Sequence, residues 1–448
     1  IALAWWSARV QLQVSGVNIV NYILAFTLLA FVAQVVVRRR FDLPPRYFVL
    51  LYVLPLTFGI ILAVPHLREA ASYARLSDAP QYETLQYVKA RFLRPFGLVL
   101  FAVFLAHAVR NSKRPERWLV VMACSAVLPA LAVFALIALY SVSLSALQEQ
   151  RNFMGPLGYH ANEMGLLLAS AFGPLLFMMG AIRGMVARVA CVVALAAVSV
   201  ALVLTFSRGA MLAAAVMVAI YLWRSRRPAV LVGSLVLILT MMLAAPDAVR
   251  ERIGTGVESG ALSSAASRLD DPLTAGRGAL WQRLVPDVLK SPIWGSGTGS
   301  THWSSVASQR IANINHPHNV YLEMLLDLGL LGLFAICAAF FKHVKGLFAA
   351  SSLTETSPVL SRYFAGAAAA WVGILVMGFT NGHYFPAAEQ TFLWFSIGML
   401  FAYWPQLVRA TPPASGSHTV VRRGFGMASP PVIDGMKSTR PWRPEERG

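Results

Sequence analysis

Charged residues are scarce in this chain, and acidic ones most of all. Asp, Glu, Lys and Arg together make up 13% of the 448 residues, about half the share of about 25% found in soluble globular proteins. Apolar residues make up 57% and recur in runs of about 20, each long enough to cross a hydrocarbon core about 30 Å thick as a helix. The composition excludes a soluble enzyme and predicts an all-α fold, a polytopic transmembrane bundle of about 11–12 helices.

Cysteine is nearly absent as well. Cys124, Cys191 and Cys337 all fall inside apolar runs, where cysteine acts as a small apolar residue, so we expect neither a disulfide framework nor a cysteine ligand cluster. The sequence begins at Ile1 within an apolar stretch and shows no cleavable signal peptide. We therefore expect an initiating segment upstream of Ile1.

Hydropathy predicts eleven membrane spans, and the charge of the connections predicts their orientation. The spans are 17–37, 46–65, 95–110, 118–140, 163–181, 189–206, 209–223, 228–245, 320–341, 363–380 and 391–405. Alternate connections are basic, with Arg38–Arg40 and Arg46; Arg110, Lys113, Arg114 and Arg117; Arg183 and Arg188; Arg224, Arg226 and Arg227; Lys342 and Lys345. The intervening short connections hold only Arg151 and Arg208. The basic connections are therefore predicted to face the cytoplasm.

This topology divides the chain into four regions. They are N-terminal transmembrane helices over 1–245, a long periplasmic loop with short helices and catalytic elements over 246–319, C-terminal transmembrane helices over 320–405, and a basic, disordered cytoplasmic tail over 406–448. The net charge of +18 predicts anionic partners, either membrane lipid headgroups or a phosphorylated substrate, and no nucleic acid is expected.

Arg208 lies at the outer turn between two apolar runs. An arginine at or below the membrane interface costs on the order of 2 kcal/mol unless it reaches water or finds an anion. Two interpretations are equally favoured by the residue alone. The side chain is either an anchor on a lipid phosphate or an anion receptor that faces a cavity.

The long loop contains an amphipathic pattern that begins near Arg277. Apolar residues recur at helical spacing, which predicts a helix that lies on the outer membrane face, with Trp281 and Trp294 at the interface. The apolar residues of this pattern are Leu280, Leu284, Val285, Val288 and Leu289. The glycines that follow, Gly295, Gly297 and Gly299, lack the strand and helix of a nucleotide-binding loop. They predict a flexible connection.

Two histidines immediately precede the next span. Pro317 between His316 and His318 disfavours helix at His316, so the helix is predicted to begin near His318 or Asn319. Histidine can accept a proton from a hydroxyl group at neutral pH, which makes His318 a candidate base and His316 its alternative or partner. The other interpretation is a pair of interfacial histidines that cap the helix. A zinc site is not expected, because the loop offers only His302 as a further ligand.

Glu323 and Asp327 are four residues apart in the same apolar span. They share one helix face and must contact protein or water, because carboxylates are costly in the membrane. We predict a supporting role, in which they hold Arg208 or a histidine in place, in preference to a proton pathway.

Three motifs resemble the O-antigen ligase superfamily, which contains O-antigen ligases, polysaccharide polymerases and protein O-oligosaccharyltransferases. They are SRGAMLA at the Arg208 turn, GRGALW followed by SPIWGSGTG in the long loop, and HPHNVYLEMLLDLGLLG at the next helix, and together they span 205–333. The resemblance implies a metal-independent, inverting, GT-C-like membrane glycosyltransferase of the bacterial inner membrane. It implies a donor glycan linked to undecaprenyl pyrophosphate, and an active site that faces the periplasm.

The resemblance also suggests roles for the candidate residues. Arg208 and Arg277 would hold the pyrophosphate, because guanidinium groups bind phosphate oxygens in a bidentate manner. His318, with His316, would take the proton of the acceptor hydroxyl, and Trp281, Asn319, Glu323 and Asp327 would support them. No DxD motif and no cofactor are expected.

Three activities remain open within the superfamily, and one outside it. We favour a ligase that uses the lipid A core as acceptor, since the basic residues of the first outer loop suit a phosphorylated acceptor. Those residues are Arg68, Arg75, Lys89, Arg91 and Arg94. The alternatives are an O-antigen or exopolysaccharide polymerase and a protein O-oligosaccharyltransferase. A transporter of lipid-linked glycans is the alternative from another class, motivated by Glu323 and Asp327.

Overall fold

The computed structural model describes most of the chain as helices. The described residues are 13–14, 17–18, 26, 29–33, 37, 43–74, 84–139, 154, 159–225, 277–308, 316–353 and 356–410. Two short strands, β1 (Gln13–Val14) and β2 (Val17–Asn18), pair antiparallel. Contacts between Cα atoms divide the chain into the units Ile1–Val408 and Arg409–Gly448. The predicted tail lies outside the described residues beyond 410.

Fourteen α-helices are described in this part of the chain. They are α1 (Arg46–Phe48), α2 (Leu54–Ala63), α3 (Leu67–Ala74), α4 (Thr84–Val88), α5 (Arg94–Arg110), α6 (Arg117–Leu139), α7 (Ala161–Met178), α8 (Met185–Leu204), α9 (Arg208–Ser225), α10 (Arg277–Lys290), α11 (Ser305–Ser308), α12 (Val320–Ala350), α13 (Pro358–Met377) and α14 (Thr391–Ala410). Single turns of π-helix (Val49–Val53 and Lys89–Leu93) and of 3₁₀-helix (Val64–His66, Ser300–Trp303 and Ala388–Gln390) join or precede some of them.

Eight helical segments among the described residues are long and apolar enough to cross a membrane. They are Arg46–Ala70, Arg91–Arg110, Arg117–Leu139, Ala161–Met178, Met185–Leu204, Val320–Ala350, Pro358–Met377 and Ala388–Ala410. The all-α polytopic bundle predicted from composition is thus confirmed. Helix α9 covers the predicted span 209–223 but is not among the eight, because Arg208 and Arg224 lower its mean hydropathy. The predicted spans 17–37 and 228–245 lie largely or wholly outside the described residues.

Close backbone contacts at glycines hold α13 between α7 and α9. A Cβ atom on Gly366 of α13 would lie 2.6 Å from the Gly173 carbonyl oxygen of α7, and one on Gly373 would lie 2.6 Å from the Ala213 carbonyl oxygen of α9. Small residues at such positions let membrane helices approach closely. Close approach strengthens van der Waals packing, which matters because the hydrophobic effect does not drive helices together inside lipid. Helix α13 therefore packs closely between α7 and α9.

Helix α12 is interrupted at Gly329, and the glycine-rich loop packs into the interruption. Gly329 has a φ of 64° and a ψ of −167°, so the carbonyl groups before it and the amides after it lose their helical partners. The Ser296 amide donates to the Leu326 carbonyl at 2.8 Å, and the Leu330 amide donates to the Pro292 carbonyl at 2.8 Å. The prediction that Gly295, Gly297 and Gly299 form a flexible connection was wrong, because this backbone is hydrogen-bonded to α12.

Candidate functional site

The candidate site forms at one end of the bundle around the turn 378–383, which follows α13. Three segments of the chain contact this turn. The Val320 amide at the start of α12 donates to the Gly378 carbonyl at 2.8 Å, and the Arg277 guanidinium donates to the Thr380 carbonyl. His318 lies against Asn381, and a Cβ atom on Gly209 would lie 3.0 Å from the Thr380 hydroxyl oxygen. Segments far apart in sequence therefore meet at one short turn.

The Arg208 turn is built so that α9 starts against α7 and this turn. Ser207 caps α9, with its hydroxyl accepting from the Ala210 amide at 3.4 Å, as serine commonly does at a helix start. Arg208 is the first residue of α9 and is partly buried. No hydrogen bond or ion pair joins its guanidinium group to any other residue that the structure describes. A cation at the positive end of a helix dipole makes this an environment that favours an anion.

Arg277 begins α10, where the amphipathic pattern predicted a helix start. The Trp281 indole NH, one turn later, donates to the Pro317 carbonyl at 2.9 Å. Helix α10 is therefore tied both to the turn after α13, through Arg277, and to the histidine loop, through Trp281. Its apolar residues divide between two faces. Leu284 is buried against Val306 and Leu326, whereas Val285 and Leu289 are exposed.

The backbone at His318 lies in the left-handed region, with a φ of 54°, a conformation uncommon for residues other than glycine. Two contacts hold it. The His318 amide donates to Nδ1 of His316 at 3.1 Å, and Nδ1 of His318 lies 3.4 Å from Oδ1 of Asn381. When Nδ1 donates its proton to Asn381, the lone pair lies on Nε2, which is the tautomer of an imidazole that acts as a base. Asn319 caps α12 through the Tyr321 and Leu322 amides, both at 3.0 Å.

A third histidine, which the sequence analysis did not single out, completes a row of imidazole rings. The centroids of the His316 and His318 rings are 3.9 Å apart, and those of His316 and His383 are 4.4 Å apart. Nδ1 of His383 lies 2.9 Å from Oε1 of Glu323. Glu323 thus holds a histidine in place, although that histidine is neither of the two predicted, and it does not contact Arg208.

Asp327 has a different role from the one predicted for it. It contacts neither Arg208 nor a histidine, and its carboxyl group is fully buried. Oδ2 accepts from the Gly299 amide at 2.9 Å and the Tyr384 hydroxyl at 3.0 Å, and Oδ1 accepts from the Ser300 amide at 3.0 Å and the Ser300 hydroxyl at 2.6 Å. Asp327 therefore fixes the end of the glycine-rich loop and connects it to the turn after α13.

Arg91, in the π-helical turn before α5, reaches the same end of the bundle. Its guanidinium carbon lies 5.5 Å from the centroid of the Phe385 ring. Burial, with a smaller contribution from the charge of Arg91, lowers the pKa of His302 to about 3. Arg91 and Arg277 also act together on one histidine. Burial lowers the pKa of His316 well below its usual value, with further contributions from His383, His318, Arg91 and Arg277.

The pKa of His383 is shifted in the opposite direction from that of His316. Burial lowers the pKa of His383, but the Glu323 carboxylate outweighs this effect, and the net pKa lies above the usual value of a histidine. The site therefore combines a histidine that favours the imidazolium form with a neighbour that favours the neutral form. Within the part of the chain that the structure describes, no group of three or more His, Cys, Asp or Glu side chains is placed to hold a metal ion.

Fold and site together define a multi-pass, all-α membrane protein with arginines and histidines gathered at one end of its helices. A protein-family model described as O-antigen ligase matches residues 191–337, about a third of the chain. This match confirms the resemblance to the O-antigen ligase superfamily and supports a function of the ligase or polymerase type, carried out by a membrane enzyme similar to glycosyltransferases. No curated protein matches the chain.

The matched segment covers all eight residues that the sequence analysis placed in the site. They are Arg208, Arg277, Trp281, His316, His318, Asn319, Glu323 and Asp327. The structure adds Asn381 and His383, which follow α13, and Arg91, which precedes α5. All three lie outside the matched segment. The dipeptide Asn381-Gly382 after an apolar run signals a turn, but no local pattern indicates that the turn reaches the histidines.

Proposed function

We propose that this protein is an O-antigen ligase of the bacterial inner membrane. It transfers a glycan from undecaprenyl pyrophosphate to a hydroxyl group of the lipid A core, at the periplasmic face, by an inverting reaction that needs no metal ion. One observation carries this proposal, namely the convergence of Arg277, His318 and the Arg208 turn on the single turn 378–383. These are the groups that such a transfer needs in one place.

The donor leaves as a pyrophosphate, so the site must neutralise phosphate charge. Arg208 and Arg277 supply two guanidinium groups, and the start of α9 adds the positive end of its dipole. Such preorganised positive charge stabilises the charge that develops on the leaving oxygen. In our assignment, both arginines bind the pyrophosphate, and Arg277 is kept in position by its hydrogen bond to the Thr380 carbonyl.

The acceptor hydroxyl must lose its proton as it attacks. In the proposed step, Nε2 of His318 takes that proton while the hydroxyl oxygen forms a bond to the anomeric carbon. The bond between that carbon and the pyrophosphate oxygen breaks on the opposite face of the sugar, and the leaving group keeps its electron pair. The configuration is therefore inverted. The Asn381 contact supports this role, because a proton on Nδ1 that is donated to Oδ1 of Asn381 leaves the lone pair on Nε2.

Polymerase and protein O-oligosaccharyltransferase activities would use the same groups with another acceptor. We favour the lipid A core because the first outer loop brings Arg91 to the site, where a further cation suits a phosphorylated acceptor. The transporter alternative was motivated by Glu323 and Asp327. It loses that support, since Glu323 is bonded to His383 and Asp327 to the glycine-rich loop.

A deletion strain complemented with variants tests this proposal. The expected result is loss of capped lipopolysaccharide in the deletion strain, restored by the wild-type gene and by His66→Ala but not by His318→Ala. His66 is the matched control, because it is a partly exposed histidine that pairs with Glu69 and lies outside the row of three rings. If the deletion strain makes normal capped lipopolysaccharide but polymers of altered length, the polymerase replaces the ligase as the proposed activity. If it makes normal capped lipopolysaccharide but loses protein glycosylation, the protein O-oligosaccharyltransferase replaces it.

A further inference from the structure

Glu323 is a buried acidic residue whose placement the proposed transfer does not explain. Its side chain is 4% exposed and its Oε1 atom lies 2.9 Å from Nδ1 of His383, whose side chain is 12% exposed. The other carboxylate oxygen, Oε2, is buried and has no hydrogen-bond partner among the described residues. A buried carboxylate with one partner is costly unless that partner carries the opposite charge. The pair is therefore best described as a carboxylate and an imidazolium.

This ion pair adjoins the candidate base through one intermediate ring. His383 packs against His316 with ring centroids 4.4 Å apart, and Nδ1 of His316 accepts the amide hydrogen of His318 at 3.1 Å. That hydrogen bond helps to hold the left-handed backbone at His318. It requires an unprotonated Nδ1 on His316, because a histidine protonated on both nitrogens has no acceptor.

We infer that Glu323 and His383 are positioning residues, whose buried ion pair places a positive charge beside His316 and thereby maintains the hydrogen bond that orients His318. The inference rests on the proposed function only in taking His318 as the base. Like charges disfavour each other, so an imidazolium at His383 opposes a second proton on His316. The structure thus separates the roles of three histidines: His383 carries charge, His316 accepts a hydrogen bond, and His318 faces the reaction.

Other charged groups around the pair act on both His316 and His383. His316 faces Arg91, Arg277 and His318 in addition to His383, and all of them disfavour its protonation. His383 faces Arg91, which opposes its charge, and Glu323 and Glu389, which favour it. The Gln390 amide donates to the His383 carbonyl at 2.6 Å, and the Phe385 ring stacks on the imidazole. These contacts hold His383 in position, and the two carboxylates favour its charged form.

The test is a histidine NMR titration of the full chain in detergent, with the His316 signals assigned by their loss in His316→Asn. The variants are Glu323→Gln, Glu323→Asp and His383→Asn. Removal of the charge at His383, directly or by loss of Glu323, is expected to raise the pKa of His316. Glu323→Asp keeps the charge and should restore part of the wild-type titration. Glu163→Gln is the matched control, because it removes a carboxylate that caps α7 and should leave His316 unchanged.

Transfer kinetics give the second readout. With His316 protonated more easily, the acidic limb of the kcat profile should move to higher pH in Glu323→Gln and His383→Asn, while donor affinity is kept. An unchanged His316 titration in both variants would overturn the inference and leave the proposed function intact. If the pKa of His316 rises in the variants but the wild-type chain transfers no glycan, the proposed function fails. The ion pair would then have no role in catalysis.

Discussion

Asp327 offers a prediction about stability that can be worked out bond by bond. Asp327→Ala removes the acceptor of four hydrogen bonds, from the Gly299 and Ser300 amides and the Ser300 and Tyr384 hydroxyl groups. The hydroxyl groups can rotate toward other acceptors, whereas the two amides cannot. An unsatisfied buried donor costs about 1–3 kcal/mol, so the variant should lose about 4 kcal/mol. Tyr384→Phe removes the bonds of the Tyr384 hydroxyl to Asp327 and to the Thr298 hydroxyl. It should lose only about 1–2 kcal/mol, because Asp327 keeps three donors and the Thr298 hydroxyl can rotate.

Thermal unfolding in detergent measures the difference. For cooperative unfolding of a chain of this length, a change of 1 kcal/mol shifts Tm by roughly 1 °C, so Asp327→Ala should melt roughly 4 °C below the wild type. The two changes should not be fully additive, because both single variants lose the bond between Asp327 and Tyr384, and the double variant loses it only once. An Asp327→Ala protein that melts together with Tyr384→Phe, or a double variant whose loss equals the sum of the two, would refute this account of the loop.

Two further predictions concern the backbone and pH. Gly329→Ala should destabilise the fold by about 3 kcal/mol or more, because the φ of Gly329 is positive and a Cβ atom would lie 2.3 Å from the Ile293 carbonyl oxygen. Gly97→Ala is the control, because no atom lies within 4 Å of the new Cβ, and it should be neutral or stabilising by about 0.5–1 kcal/mol. Equal Tm values for the two variants would argue against the packed loop. Because burial lowers the pKa of His302 to about 3 from about 6.5 in the unfolded chain, the unfolded state binds more protons between these values. The free energy of unfolding should therefore fall as pH drops below about 6.5, by about 2 kcal/mol at pH 5. His302→Gln should reduce the slope of Tm against pH, and an unchanged slope would contradict the lowered pKa of His302.

The features that sequence predicted well are those that depend on local chemistry. Helix α10 begins at Arg277 because its apolar residues recur at helical spacing, and α12 begins after Asn319 because Pro317 disfavours helix before it. The spans follow from apolar length alone. Each of these predictions used only residues within the feature or directly beside it.

The features that sequence missed depend on contacts between distant segments. His383 becomes part of the site only because α13 ends beside the start of α12, 60 positions away from Glu323 in sequence. The glycine-rich loop was misjudged for the same reason. Glycines at 295, 297 and 299 look flexible in isolation, yet each has a positive φ that lets the chain pack against neighbouring segments.

The central claim is that arginines hold the pyrophosphate while His318 takes the proton. Its most direct test measures donor affinity and turnover separately in the purified protein. Arg208→Ala and Arg277→Ala should raise the Kd for undecaprenyl pyrophosphate about tenfold or more. Arg283→Ala, an exposed arginine on the same helix as Arg277, should leave it unchanged. His318→Ala should bind the donor normally and lower kcat about 10²- to 10⁴-fold. A His318→Ala protein with normal kcat, or arginine variants with the wild-type Kd, would contradict the account.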